Sequence, residues 1–372
     1  MRQNLILPML FAVVAVASLI CPVLGQTLSG DAVWQSETGD RIVAVALSPE
    51  GPHAAVITEE RAYLYDRNGT LLWSRPVSCG RSVAISSDGE HIVTGGDHLL
   101  LFDRNGNTVW HYKPDARLQS VAVAADGCTI CAGADTGLRV FSLDSGQTVA
   151  NASWSFDTGD PVKSVSIDGD GTSIVVGGDS GNVYFLSEDG RLLWNYRTGS
   201  NGIRVAISRD GSTVAAASSQ RTVHLLNRNG RLLWKASTPE TITDVSISGD
   251  GSTLALANGS ISMLDRGGET TWTGAARESI CSVSILPDAT HLLAGALDGT
   301  VSILRVQPET LPAETPGNPA PDTAITTEPS RLPNASAQGQ ATPRQDTALA
   351  PATPVTVSAC VGALAWWQRQ KR

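Results

Sequence analysis

One short pattern returns seven times along the middle of the chain. It starts with Val at positions 45, 83, 121, 165, 205, 245 and 283. A small residue follows each Val: Ala46, Ala84, Ala122, Ser166, Ala206, Ser246 and Ser284. Leu47, Ile85, Val123, Ile167, Ile207, Ile247 and Ile285 come next. Each copy ends on an acidic residue, Glu50, Asp88, Asp126, Asp170, Asp210, Asp250 or Asp288, and then Gly, with Ala289 in the seventh. Copies lie about 40 residues apart, the period of units that bury their apolar faces only by stacking on one another.

The cleanest copy is Ser164–Gly199. Turn dipeptides such as Asp170-Gly171 and Asp189-Gly190 cut it into four short apolar or alternating runs, which reads as four antiparallel strands joined by hairpins. Four strands per repeat predict an all-β chain folded as a β-propeller. Val on one side and Ala or Ser on the other suit an innermost strand held between two neighbouring sheets, because side chains alternate along a strand.

The fourth run of each unit carries Trp: Trp73, Trp110, Trp154, Trp194, Trp234 and Trp272. These rings are expected to pack between blades near the rim. The last unit, Ser282–Val306, stops before any Trp, whereas a seventh, Trp34, precedes the first unit. Ala32–Glu37 is therefore predicted to supply the outer strand of the last blade. That gives a seven-bladed β-propeller over 30–306, closed by an N-terminal strand, with two open edges removed. Turns such as Asn68-Gly69, Asn105-Gly106 and Ser145-Gly146 fall on one face. The longer connections between blades fall on the other, where binding on a rigid scaffold usually sits.

Outside the repeats, residues 1–25 join Arg2 to an apolar run, the pattern of a secretory signal, either cleaved or kept as an anchor helix. Residues 307–346 are rich in Pro, Thr and Ala and read as a disordered stalk. Residues 347–372 end in Ala-Trp-Trp and a basic cluster. They fit either a C-terminal membrane anchor or a sticky tail, the apolar part being short for a span.

The formal net charge of −9 argues against nucleic acid as a partner. Four of the six cysteines lie in the repeats, too few for a disulfide framework. Cys128 and Cys131 sit three apart on a second strand and so point to opposite faces. His53, His91 and His291 share one repeat slot in consecutive blades, which reads as a half-exposed strand start too widely spaced for one metal. No metal or cofactor site is expected. Arg41, Arg81, Lys163 and Arg204 fall at the starts of first strands, and Asp244 lies among them. Together they would ring the mouth of the axial channel as a local anion or carboxylate site. Asn68, Asn151, Asn258 and Asn334 head N-x-Ser/Thr sequons, the glycosylation candidates of a secreted chain.

Asp179–Gly199, with its Gly-x-Val-Tyr-x-Leu, Asp-Gly and Leu-Trp-x-Tyr-x-x-Gly elements, resembles the repeat of PQQ-like propellers. The Ser-x-Asp-Gly turns at 86–89 and 208–211 resemble those of WD40-like units. The order of signal, propeller, stalk and apolar basic end is similar to that of archaeal surface proteins, without their Pro-Gly-Phe motif. The resemblance covers about 30–306 and implies the fold. PQQ itself is not implied, since the adjacent Cys pair of quinoprotein dehydrogenases is missing. The expected function is a non-enzymatic, monomeric, extracellular or surface-anchored scaffold for a protein or glycan partner. The alternative is a secreted propeller enzyme, a lyase, a hydrolase or a PQQ-type enzyme, with its site at the loop-face channel mouth.

Overall fold

The structure, a computed structural model, describes residues 32–51, 53–143, 152–274 and 279–306. The signal, stalk and anchor segments lie outside the described residues, as do Ser145-Gly146, Asn151 and Asn334. Among the described residues no helix is long and apolar enough to cross a membrane.

Short turns build the hairpins first. In the first turn of six units an Asp side chain folds back on the backbone. Asp88 Oδ1 accepts the Glu90 N–H at 2.9 Å, and Asp126 Oδ1 accepts the Cys128 N–H at 2.8 Å. This Asx geometry replaces a backbone bond with a side-chain one. It favours the ionised acid: the Ser252 N–H, with the Ser252 and Ser248 hydroxyls, holds Asp250 below the usual carboxylate range. The repeated acid is thus a turn-former. In the last turn, Asp66 Oδ1 accepts from both Asn68 and Thr70 N–H.

These hairpins assemble into seven four-stranded antiparallel sheets. Blades 1 to 6 are Ile42–Pro76, Ser82–Tyr112, Leu118–Phe156, Val162–Arg197, Ile203–Ser237 and Asp244–Gly274. Blade 7 takes three strands from Ile280–Arg305 and its outer strand from Ala32–Glu37. Closure is a two-strand ladder in which Ala32 faces Leu304 and Glu37 faces Thr300. The all-β, seven-bladed propeller closed by its N-terminal strand is the fold the repeats predict.

The core lies between blades. Val45 packs with Leu293 and Val301 of blade 7, whereas Ala44 and Ala46 pack toward Val83 and Ile85 of blade 2. Each Val thus faces the preceding blade and each small residue the following one. Size is tightly limited there. A Cβ on Gly95 of blade 2 would come within 2.6 Å of Val121 Cγ1 in blade 3.

Three sets of hydrogen bonds lace the blades. Near the axis, Ser82, Ser120, Ser164 and Ser282 Oγ accept the N–H of Val121, Val165, Val205 and Val45 in the following blade, at 3.0–3.1 Å. Each such bond is worth about 0.5–1.5 kcal/mol, and each buried N–H left without one costs more. Near the rim, the indoles of Trp73, Trp154, Trp194 and Trp234 donate to carbonyls of Arg104, Glu188, Arg228 and Arg266 at 2.8–2.9 Å. Each ring lies over a turn Gly of the following blade. A Cβ on Gly230, at φ +76°, would stand 2.8 Å from the Trp194 ring. On the turn face, backbone bonds link successive first turns: Glu50 to Ser87, Ser87 to Ala125, Ala125 to Gly169, Gly169 to Arg209, Asp210 to Gly249 and Gly249 to Pro287.

Among the described residues that belt ends at Pro287, from which no such bond reaches blade 1. The same seam holds Trp34, whose ring covers Gly69 but whose buried Nε1 has no acceptor among the described residues. A cavity of about 170 Å³ lies there, lined by Pro49, His53, Leu286, Asp288, His291 and Ile303 among others. On the loop side the seam is held by Ser282 and Ser284, which accept from Val45 and Leu47.

Candidate functional site: the loop-face mouth of the axial channel

The first strands of all seven blades enclose an axial channel of about 530 Å³. Its wall is made of the repeated Val, Ala and Ser. Because each Ser Oγ named above already accepts a backbone N–H, its own O–H proton is left to point elsewhere. Charge is confined to Arg41, Glu59, Arg81, Arg204 and Asp244.

The residue just before each repeated Val decides what faces the axis. It is Ala44, Ser82, Ser120, Ser164, Arg204, Asp244 and Ser282 in turn. Blades 5 and 6 are the two that place a charge there. Arg204 lies across the gap between blades 4 and 6: Nη1 donates to the Lys163 carbonyl at 2.7 Å and Nε to the Thr243 carbonyl at 3.1 Å. Asp244 does the work of the missing Ser. Its Oδ2 accepts from Ser282 Oγ at 2.6 Å and from the Val283 N–H at 3.1 Å, and its Oδ1 accepts its neighbour Val245 N–H at 2.9 Å. Burial pushes the Asp244 carboxyl above its usual range, against the pull of Ser282, Arg204 and the two N–H groups. Cys281, beside it, is pushed up to about 12 by burial and then by the Asp244 charge.

Arg41 and Arg81 stand differently. Both are exposed, on the adjacent blades 1 and 2, and among the described residues neither guanidinium has a hydrogen-bond or ion-pair partner. Lys163 departs from the ring of charge expected around the mouth. Its ammonium turns to Asp179 of its own blade at 3.6 Å, and it does not line the channel. Glu59, Gln119 and Thr243 line it instead. At the turn face, Arg209 of blade 5 pairs with Glu50 of blade 1 across the axis.

Other candidates fall away from this mouth. His53 is 7% exposed, not half-exposed. A Cβ on Gly89 would meet its Nδ1, so the ring fills the gap to blade 2 and is held neutral chiefly by burial. His91 fills the same gap one blade on, against Gly127. His291 bonds its neighbour Thr290 at 2.8 Å. Among the described residues no three His, Cys, Asp or Glu side chains are placed to hold a metal. Cys79, Cys131 and Cys281 are free thiols. Cys128 is exposed and Cys131 buried, on opposite faces. Asn68 is exposed in its turn. Asn258, by contrast, is 3% exposed. Its amide donates to Ser262 and accepts from Ser260, the hydroxyl of its own sequon, so the folded chain withholds it from glycosylation. Sequence reading missed Asp168. It replaces the turn Ser of other blades, is buried, and accepts from Ser173 N–H at 3.0 Å. Burial first, then neighbouring Asp170, raises its pKa.

The family model described as outer membrane protein assembly factor BamB, built on PQQ-type repeats, matches over residues 26–160, 58–221 and 179–307. The overlapping windows are the same repeats matched in different frames. No curated protein matches the chain. Among solved structures, the chain is similar to the β-propeller domain of Cps50 (Swd1) from Myceliophteria thermophila. The TM-score is 0.65 at 12% identity, over 74% of this chain and 100% of that one. At such identity the likeness concerns the fold alone. By its repeats, their ring and their match to the family model, the chain belongs to the PQQ-type β-propeller family described as outer membrane protein assembly factor BamB.

Proposed function

We propose that this propeller is a non-enzymatic binding scaffold at the cell surface that presents its loop face to a protein or glycan partner. The observation that carries the reading is the pair Arg41 and Arg81. In a chain of net charge −9, two exposed guanidiniums stand unpaired among the described residues, at the mouth of a channel ringed by rigid strands. Unpaired cations on a preorganised rim suit recognition, since binding there orders little. Asp244, the buried carboxylate at the same mouth, is spent on Ser282, Val283 and Val245, which leaves it poorly placed as a general acid or base. A family described as an assembly factor is in keeping with a scaffold. The first described strand begins and the last ends on the turn face, where Ala32 pairs with Leu304. A surface tether following 306 would leave the loop face free.

The test is capture of cell-envelope material by the immobilised full chain, wild type beside the double variant Arg41→Ala/Arg81→Ala. Capture is expected from the wild type and lost in the variant at unchanged thermal stability. Turnover in a broad substrate screen, with capture equal in both proteins, would overturn the reading.

A further inference from the structure

The charged groups, hydroxyls and floor of the channel mouth together narrow what it can hold. We infer that the mouth is a carboxylate receptor, with Arg41 and Arg81 clamping the carboxylate and the channel below them accepting the body that carries it. This rests on the scaffold reading above and names the ligand chemistry of that same site.

Donors dominate the lining. Arg41 and Arg81 present guanidinium N–H groups from neighbouring blades. Below them, Ser82 and Ser120 each accept a backbone N–H through Oγ, which leaves each an O–H to give and a single lone pair. A carboxylate is an acceptor only, and two guanidiniums with hydroxyl donors beneath match it. The acceptors nearby are largely used: Asp244 holds three donors, and the Lys163 and Thr243 carbonyls hold Arg204. Glu59 alone keeps a free carboxylate in the lining, and it is exposed on a turn of blade 1. A ligand rich in hydroxyls needs acceptors as well as donors, and such a wall offers it few.

Space and closure agree. The channel, at about 530 Å³, falls in the range of pockets that enclose a small molecule or a short chain end. At its far end the Arg209–Glu50 pair spans the axis. A ligand entering from the loop face meets a channel walled by the first strands of all seven blades. Arg204 is already bound to two carbonyls and so stiffens the wall opposite the clamp.

Two sources supply this chemistry, a peptide C-terminus and a free small carboxylate. Calorimetry on the full chain distinguishes them with three probes: a short acidic peptide with a free C-terminus, the same peptide amidated, and succinate. The free-acid peptide or succinate is expected to bind, and Arg41→Gln/Arg81→Gln should weaken that binding by roughly tenfold or more. The control Arg67→Gln, in an exposed turn on the other face, should leave it unchanged. Tighter binding of the free than of the amidated peptide assigns the peptide terminus. Binding of succinate with neither peptide assigns the small carboxylate. The inference is overturned if no probe binds at millimolar concentration, or if the Arg-to-Gln pair binds as well as wild type. Envelope capture that persists in that case would show that the scaffold reading stands without the carboxylate.

Discussion

At the scale of single residues, side chains with special environments differ from their repeat equivalents, and that is where sequence reading runs out. The repeated Val, Ala and Trp can be placed from spacing alone, because every blade solves the same packing problem. Arg204 and Asp244 occupy a slot that is Ser in four blades, and comparing that slot across blades flags them as exceptions. Their partners are another matter. Lys163 chose Asp179 on its own blade, and Arg209 chose Glu50 in a blade 159 residues away. No local pattern encodes a contact across the axis. His224 is a similar case with a measurable consequence. It is 2% exposed, and its Nδ1 lies 3.0 Å from Tyr196 Oη. Burial, helped by Lys235, drops its pKa from 6.5 to about 4. A base with a depressed folded pKa takes up its proton more readily when unfolded. Its share of stability is therefore present above pH 6.5 and lost as pH falls toward 4. Denaturant melts across that window should fall less steeply for His224→Gln than for wild type. An identical slope would show that this ring does not contribute.

At the scale of elements, hairpins and blades were readable in full, from the Asx-forming acids to the borrowed strand Ala32–Glu37. What spacing could not reveal is that the seven joints are unequal. Six carry a turn-face backbone bond, and among the described residues the seventh, between blades 7 and 1, carries none. The indole of Trp194 donates to Arg228 at 2.8 Å, while among the same described residues that of Trp34 has no acceptor. Two substitutions compare these joints directly. A Trp-to-Phe change keeps most of the apolar ring and removes the N–H. Trp194→Phe should lose a hydrogen bond worth about 0.5–1.5 kcal/mol in addition to the change in ring size. Trp34→Phe removes a buried donor that was already unsatisfied, so it should cost less. Chemical denaturation of the two variants measures the difference, and equal losses would mean that Trp34 finds a partner in solution.

At the scale of the whole molecule, the ring is a closed set of sheets whose two described ends meet in one ladder. Because Ala32 lies opposite Leu304, a short Gly/Ser linker can join them. New ends can then be opened in the loop between blades 4 and 5, near Ser200–Gly202. The permuted chain keeps every blade and gains a covalent tie within blade 7, between its third strand and its borrowed outer strand. It should fold with a melting temperature at or above that of wild type. A fall of many degrees would mean that the borrowed strand matters through the order of folding as well as through its place in the sheet.

The borrowed strand also has a mechanical side. Its N-terminal end and the C-terminal end of its partner leave the disc at the same edge. Pulling those two ends apart peels the ladder one bond at a time, the weakest way to load antiparallel strands. Pulling between a ligand at the loop face and a tether below residue 306 is different. That load runs along the strands, so the bonds of the last blade share it. A scaffold held from its turn face and gripped at its mouth would thus be strained in the direction in which it yields least.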